Sequence, residues 1–191
     1  EHIVYPNQPK EKVALREVQT VRVYAPSGAE YYIVDITVEM NCAQGPVRLL
    51  EYRYGGIGWR APEQWTKENS RVLTSEGKTR READGSKARW CIVEGEVDGQ
   101  NAGAVMMSYP SNYNYPEPLR IWPENANRNR GDMFANFSPT KDMDWPLEPG
   151  KNYVLKYRFV VFNGAFTKEK AEAAWRDFAS PPVVTVLKSG R

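Results

Sequence analysis

Histidine is almost absent from this sequence, since His2 is the single one among 191 residues. Cysteine is scarce as well: Cys42 and Cys91 lie far apart, without the CxxC spacing of a thiolate metal site. Most zinc and copper sites are built from imidazole and thiolate ligands, so the chain alone cannot supply one of the usual kind. The same shortage excludes Ser–His–Asp and Cys–His catalysis from within the chain. We therefore expect no metal site and no cofactor.

The two cysteines leave two alternatives open. They are either free thiols that pack as small hydrophobic side chains, or one disulfide of an exported protein. Two cysteines alone do not reveal whether they pair. Free thiols are the preferred interpretation.

Long apolar runs are also missing, because no uninterrupted run exceeds four residues. A membrane-spanning helix needs about 20 apolar residues in succession. Lys and Arg number 26 against 24 Asp and Glu, and a net charge of +2 does not provide the basic face that nucleic acid requires. The first residues do not match a signal peptide. We expect a folded protein with no membrane span and no nucleic-acid partner.

Valine and aromatic residues are abundant instead. Valine occurs 18 times and leucine 8 times, and aromatic residues make up 12% of the chain. β-Branched and aromatic side chains favour strands. The length fits one domain. We therefore predict a single, mainly β domain over residues 1–191, built as an antiparallel β-sandwich.

Short segments with alternating apolar residues, separated by proline and glycine, predict the strands. The clearest is 30–41, in which every second residue from Tyr32 to Met40 is apolar and Asp35 lies on the opposite face. Segment 47–54 is expected to form a hairpin-like pair with it. The other predicted strands are 13–24, 71–75, 88–96, 102–109, 152–163 and, at an edge, 183–187.

One segment, about 167–180, is predicted to be an amphipathic helix. Its apolar residues from Ala171 to Phe178 fall at i, i+3, i+4 and i+7, and Thr167 suits the N-cap. By contrast, residues from about 111 to 150 are rich in proline and asparagine and show no sustained period. A long irregular excursion within a domain is usually functional.

Residues 51–63 form the first candidate site. Three glycines let the chain leave the strand and deliver Trp59 and Arg60 to the mouth of a loop, close to Tyr54. Aromatic rings pack on the C–H groups of a sugar, while charged groups bind its hydroxyls or a carboxylate. The alternative is a glycine-rich bulge in which Trp59 is buried and Arg60 pairs with a carboxylate.

Residues 109–122 form the second candidate site. Three prolines hold this loop extended and lower the entropy lost when its side chains bind a ligand. Asn112, Tyr115, Arg120 and Trp122 are residue types that bind polyols or carboxylates. The alternative is an ordered loop whose aromatic side chains close the end of the sandwich.

Carboxylates are the remaining route to catalysis. Glu51 or Glu63 would act as acid or base towards a ligand on these loops. Glu51 also shares a face with Arg53, for which a cross-strand ion pair is the ordinary interpretation. Asp35 and Glu39 lie about 13 Å apart along one strand, beyond the ~6.5–9.5 Å of an inverting glycosidase pair.

An asparagine-rich run follows at 125–132. Asparagine favours turns through hydrogen bonds to its own backbone, so a turn is the preferred interpretation. Asn136-Phe-Ser138 further matches the N-glycosylation acceptor motif.

Several short motifs resemble a bacterial family. They are Tyr54-Gly-Gly-Ile-Gly-Trp-Arg60, Arg89-Trp-Cys91, Gly103-Ala-Val-Met-Met, Tyr109-Pro-Ser-Asn112 with Tyr115-Pro116, and Val161-Phe-Asn-Gly164. The family is the PmoA-like one, labelled methane oxygenase, and the resemblance spans about residues 30–165. The positions that match its motifs are Gly55, Gly56, Arg60, Trp90, Pro110, Asn112 and Pro116.

The resemblance implies a soluble β-sandwich, periplasmic or secreted, encoded near carbohydrate-processing genes. Its members carry a histidine-rich segment in a longer N-terminus, so we expect this sequence either to be a truncated or processed piece or to represent a branch that lacks the segment. Histidine-dependent chemistry is therefore not carried over. Methane monooxygenase activity is not expected, because that subunit is an integral membrane protein.

Our leading hypothesis is a carbohydrate-associated protein that binds, or also processes, a sugar or uronate-type ligand. Trp59 and Trp122 would stack on it, and Arg60 and Arg120 would bind its hydroxyl or carboxylate groups. Any catalysis would be hydrolase- or lyase-like. The alternatives are a non-catalytic structural or interaction module and a metal-dependent enzyme that needs the absent histidine-rich segment. Expected partners are an oligosaccharide or small polar ligand, and a second copy or complementing chain.

Overall fold

The computed structural model describes residues 1–4, 12–26, 28 and 30–181, and strands dominate them. The predicted strand at 183–187 lies outside these residues. In chain order the elements are β1 (His2–Val4), β2 (Lys12–Tyr24), β3 (Tyr31–Cys42), β4 (Val47–Leu49), β5 (Ile57–Arg60), β6 (Ser70–Thr74), α1 (Arg80–Ala83), β7 (Trp90–Val97), β8 (Gln100–Ser108), β9 (Leu119–Ile121), α2 (Ala126–Asn129), β10 (Phe134–Phe137), β11 (Trp145–Leu147), β12 (Tyr153–Asn163) and α3 (Lys168–Ala179).

A seven-stranded sheet forms the centre of the fold, in the order β1-β2-β3-β12-β8-β7-β6. Its neighbouring strands are all antiparallel. A three-stranded sheet, β5-β10-β9, and a two-stranded sheet, β11-β4, complete the described strands. Both small sheets are antiparallel as well. The prediction of a mainly β, antiparallel sandwich is confirmed.

Alternation along β12 gives the large sheet two apolar faces. Leu155 and Tyr157 pack into a core shared with the small sheets, whereas Val160 and Phe162 pack into a second cluster. A polar pair lies between β3 and β12, where Arg158 donates two hydrogen bonds to Asp35, of 2.6 and 2.7 Å. Asp35 is thus a cross-strand partner rather than part of an acid–base pair.

Helix α3 covers the second apolar cluster. Its Ala171 and Phe178 are buried there, against β-strand side chains such as Trp90 and Val105. The hydroxyl of Thr167 accepts a hydrogen bond from the amide of Lys170, which caps the first turn. The predicted helix is confirmed.

The strand that we predicted over residues 47–54 is shorter in the structure. Only Val47–Leu49 is extended, and it pairs with β11 rather than β3. Gly55 and Gly56 have φ values of +159° and +56°, and Gly56 takes the left-handed conformation in the turn directly before β5. Residues Ile57–Arg60, expected in a loop, form β5.

Segment 111–150 is irregular over most of its length. It also contributes three short strands, β9, β10 and β11, to the small sheets. The asparagine-rich run within it forms a tight turn, in which Asn127, Arg128 and Asn129 all have positive φ. Asparagine tolerates this left-handed conformation better than most residues.

Cys42 and Cys91 are both free, as the preferred interpretation predicted. Burial raises the pKa of the Cys91 thiol to about 12, so it is protonated and unreactive at neutral pH.

The helices in the described ranges are all too short or too polar to cross a membrane.

Candidate ligand-binding site

Strand β5 points its successive side chains in opposite directions, and this alternation separates the two residues expected to act together. Trp59 faces the core and packs edge-on against Trp65, with ring centroids 5.7 Å apart. Arg60 projects from the other face. Trp59 therefore packs against the core, as the glycine-rich bulge alternative predicted. Arg60 does not follow that alternative, because it has no carboxylate partner among the described residues.

The outer face of β5 borders an open cavity of about 510 Å³. Four predicted binding residues, from both candidate loops, line it together: Tyr54, Arg60, Arg120 and Trp122. The other lining residues are Arg53, Pro123, Ala126, Asn127 and Asp132. We call this cavity the arginine pocket.

Arginines lie against aromatic rings throughout the arginine pocket. The Cζ atom of Arg60 is 4.4 Å from the ring centroid of Trp122. The Cζ atoms of Arg53 and Arg120 are 5.4 and 5.5 Å from the ring centroid of Tyr54. The indole N–H of Trp122 donates a hydrogen bond of 3.1 Å to the Tyr54 hydroxyl, which joins the two groups. Cation–π contacts of this kind hold guanidinium planes in place.

The arginine pocket carries an excess of positive charge. Arg120 pairs with Asp84, at 3.0 Å, but neither Arg53 nor Arg60 has a carboxylate within ion-pair distance among the described residues. Asp132, the single carboxylate in the lining, accepts from Asn127 and lies 3.3 Å from Arg130. Two guanidinium groups are therefore free to bind an anion.

The phenol of Tyr54 responds to this environment. The hydrogen bond from Trp122 lowers its pKa below the usual value, with a further contribution from the charge of Arg120. The ionised phenol is favoured by these donors, so the Tyr54 oxygen acts as a hydrogen-bond acceptor here.

Comparison of the sequence with known family models assigns this chain to a family. A family model described as a family of unknown function, DUF6807, matches residues 2–176. The chain belongs to DUF6807. Searches of curated proteins and of solved structures found no match.

This membership corrects the resemblance to the PmoA-like family, which was wrong: no PmoA or methane oxygenase family is found. The glycine and proline motifs behind it have local causes that do not specify a family. A Cβ at Gly56, for example, would lie 2.4 Å from the carbonyl oxygen of Phe137. Export, gene neighbourhood and a missing histidine-rich segment are no longer implied.

The remaining predicted binding residues of the DUF6807 chain lie outside the arginine pocket. Trp59 is half-buried and packs against the core. Asn112 is buried: its amide donates to Glu117 at 2.8 Å, and its carbonyl accepts from the amide of Lys156. Tyr115 is half-buried, and burial raises the pKa of its phenol.

The two predicted acid–base residues are not in the lining either. Glu51 is exposed, and its backbone amide donates to Asp144. The side chain of Glu63 is 89% exposed and lies 3.5 Å from Arg130. Arg53 does not pair with Glu51 as expected but joins the arginine pocket.

A buried arginine that sequence reasoning missed holds the back of the arginine pocket. The Nε of Arg80 donates to the carbonyl of Trp122 at 3.0 Å, and its Nη2 donates to those of Gly131 and Asp132 at 2.8 Å. Arg80 is 5% exposed, and burial lowers the pKa of its guanidinium. Arg80 thus joins both ends of the 122–132 loop, a role that the RREA sequence of α1 does not signal.

Asn136 supports the opposite wall from a buried position. Its side-chain amide donates to the carbonyls of Gly55 and Ile57 and fixes the turn that precedes β5. The residue is 2% exposed, so it is not accessible as the glycosylation acceptor that its motif matches.

A second cavity, of about 590 Å³, lies on the other side of Tyr54. Residues 49–57 form one wall, and the floor comes from β2, β3 and β12. Its lining is mainly apolar, with Leu50, Tyr52 and Val21 among its members. We call it the apolar cleft.

A buried carboxyl group lies below the floor of the apolar cleft. Glu117 is completely buried and accepts hydrogen bonds from Ser108 (2.7 Å), Asn112 (2.8 Å) and the hydroxyl of Tyr157 (3.0 Å). Burial raises the pKa of Glu117 to about 7. Sequence reasoning missed this group, because a glutamate between two prolines in a loop is usually exposed.

No group of three His, Cys, Asp or Glu side chains within the described residues is arranged to hold a metal ion.

Proposed function

We propose that this DUF6807 protein binds an acidic sugar or oligosaccharide, of the uronate type, in the arginine pocket. The observation that carries the proposal is that Arg53 and Arg60 converge there beside aromatic rings, and that neither has an ion-pair partner among the described residues. A guanidinium group binds a carboxylate with two parallel hydrogen bonds, which suits the carboxyl group of a uronate.

The rest of the lining offers partners for sugar hydroxyls. Tyr54 presents an acceptor oxygen, and the side-chain amide of Asn127 keeps the N–H that it does not donate to Asp132. Ligand sites typically combine a few polar groups of this kind with aromatic walls. Arg60 covers one face of Trp122, which leaves less aromatic surface for a neutral sugar to stack on. The positive charge of the arginine pocket remains open to a carboxylate, so we expect an acidic sugar to bind better than a neutral one.

The proposal concerns binding rather than catalysis. Glu51 and Glu63 lie outside the arginine pocket, and Asp132 is already engaged by Arg130 and Asn127. An acid–base pair therefore has no support from this geometry. The interaction-module alternative, in which both tryptophans only pack, accounts for Trp59 but not for Trp122, which lines the cavity.

Calorimetric titration with oligogalacturonate tests the proposal, with a neutral cello-oligosaccharide of the same length as comparison. We expect the acidic ligand to bind and Arg60→Ala to weaken its affinity by about tenfold or more, which corresponds to ~1.4 kcal/mol. Arg53→Ala should act in the same direction.

The matched control is Arg71→Ala, which removes the same charge from an exposed side chain on β6 that pairs with Glu94. It should leave the affinity unchanged. Equal affinity of wild type and Arg60→Ala would reject the site, and equal affinity for acidic and neutral ligands would reject acid recognition.

A further inference from the structure

We infer that the acidic sugar recognised by this protein carries an apolar substituent, and that the apolar cleft is the subsite for that substituent. This inference rests on the proposed function and adds the class of ligand: a uronate with an aromatic or alkyl group attached. Its support comes from three features of the cleft, namely its exposed apolar side chains, its position next to the arginine pocket and its lack of unpaired charge in the described lining.

Large apolar side chains are exposed at the cleft. The exposed fractions are 65% for Leu50, 58% for Tyr52 and 57% for Val21. Single exposed apolar residues are common, but three on the walls of one cavity form a surface that a ligand can cover. Binding an apolar group here would remove this surface from water.

The apolar cleft and the arginine pocket adjoin at Tyr54, which lines both cavities. The ring of Tyr52 lies next to it, with centroids 5.8 Å apart. A ligand whose carboxylate contacts Arg53 or Arg60 and that reaches past Tyr54 would place its next group in the cleft.

The two cavities differ sharply in charge. Three arginines line the arginine pocket. In the described lining of the apolar cleft, the only Lys, Arg, His, Asp or Glu side chains are those of His2 and Glu17. These two bond to each other, at 2.7 Å. The hydroxyl of Tyr157, on the floor of the cleft, already donates a hydrogen bond to Glu117. The cleft thus offers a second sugar ring few polar partners, and it suits an apolar group instead.

The test compares three probes by calorimetry on the full chain: glucuronic acid, phenyl β-glucuronide and phenyl β-glucoside. The first carries the acid, the third the apolar group, and the second carries both. We expect phenyl β-glucuronide to bind at least tenfold more tightly than glucuronic acid. Phenyl β-glucoside should bind more weakly than phenyl β-glucuronide.

Leu50→Asn locates the phenyl group. It should remove the tenfold gain while the affinity for glucuronic acid stays the same. The matched control is Val23→Asn, at a site that is also 65% exposed but does not line the cleft, and it should retain the gain. Both positions are on the surface, and circular dichroism of each variant confirms that the fold is retained.

The outcomes separate this inference from the proposed function. Equal affinity for glucuronic acid and phenyl β-glucuronide would overturn the subsite and leave acid recognition standing. Equal affinity for the two phenyl glycosides would overturn acid recognition and, with it, the combined ligand. A gain that survives Leu50→Asn, or that Val23→Asn also removes, would overturn the placement in the cleft. Failure of all three probes to bind would overturn the inference, whereas oligogalacturonate decides on the proposed function.

Discussion

The guanidinium carbon of Arg60 lies 4.4 Å from the ring centroid of Trp122, although the two residues come from different sheet strands and loops. Strand β5 carries Arg60, and Trp122 follows β9, while β10 lies between these strands in the small sheet. The contact restrains the Arg60 side chain before a ligand binds, so that fewer rotamers are lost on binding.

Arg60→Lys tests this arrangement. Lysine keeps the charge but loses the planar fork and its stacking, so we expect oligogalacturonate affinity to fall by about five- to twentyfold. Thermal unfolding should change little, because Arg60 is exposed and has no ion-pair partner among the described residues. Calorimetry and a melting curve check the two expectations, and an affinity as strong as that of wild type would contradict the role of the fork.

Arg80→Met should destabilise the fold by about 3 kcal/mol, because it leaves the buried carbonyls of Trp122, Gly131 and Asp132 without their donor. Urea unfolding measures the change. Hydrogen exchange of residues 122–132 should also speed up, since Arg80 joins both ends of this loop.

Arg81→Met provides the control on the same short helix. The Arg81 side chain is 78% exposed and pairs with Glu124, so its loss should change the free energy of unfolding by less than about 1 kcal/mol. Equal effects of the two variants would show that the buried hydrogen bonds of Arg80 do not stabilise the loop.

Sequence patterns predicted the long elements of this fold well. The alternation in β3 and β12 and the 3.6-residue period of α3 extend over many residues, and burial on one face enforces them. The short strands β5, β9, β10 and β11 have three or four residues each, too few for a period to show. They form because neighbouring strands satisfy their backbone groups, which is a tertiary effect.

The same limit applies to the candidate site. Residue type was enough to select Tyr54, Arg60, Arg120 and Trp122, which the structure brings together. The orientation of Trp59 depends on an alternation in β5 that was not foreseen. Arg80 bonds to Trp122, and Asn112 bonds to Lys156; both partners are more than 40 residues away, so local patterns could not place these side chains.

Gly56→Ala should cost about 3 kcal/mol or more. A Cβ there would lie 2.4 Å from the carbonyl oxygen of Phe137 and 2.9 Å from the hydroxyl of Tyr157, and φ is +56°. Both the contact and the left-handed backbone disfavour alanine.

Gly99→Ala separates the two causes, because its φ is +77° but no atom lies within 4 Å of the added Cβ. It should cost about 1 kcal/mol. Urea unfolding measures both, and equal costs would show that the close contact does not matter.

Glu117→Gln should change how the free energy of unfolding depends on pH. The pKa of Glu117 is raised by burial from 4.5 to about 7, so between these values the folded chain holds a proton that the unfolded chain has released. Stability from this group is therefore present in full below pH 4.5 and falls as the pH rises to about 7. Glutamine is shaped like the protonated acid and does not titrate.

Urea unfolding at several pH values between 4.5 and 8 makes the comparison. Relative to Glu117→Gln, the wild type should lose stability on the order of 3 kcal/mol as the pH rises to about 7, and the difference should then stay constant. Glu96→Gln, at an exposed position, should run parallel to the wild type. If the curve of Glu117→Gln also runs parallel to that of the wild type, Glu117 titrates like an exposed carboxylate and the expectation is wrong. The hydrogen bonds from Ser108, Asn112 and Tyr157 would then compensate fully for the burial of its charge.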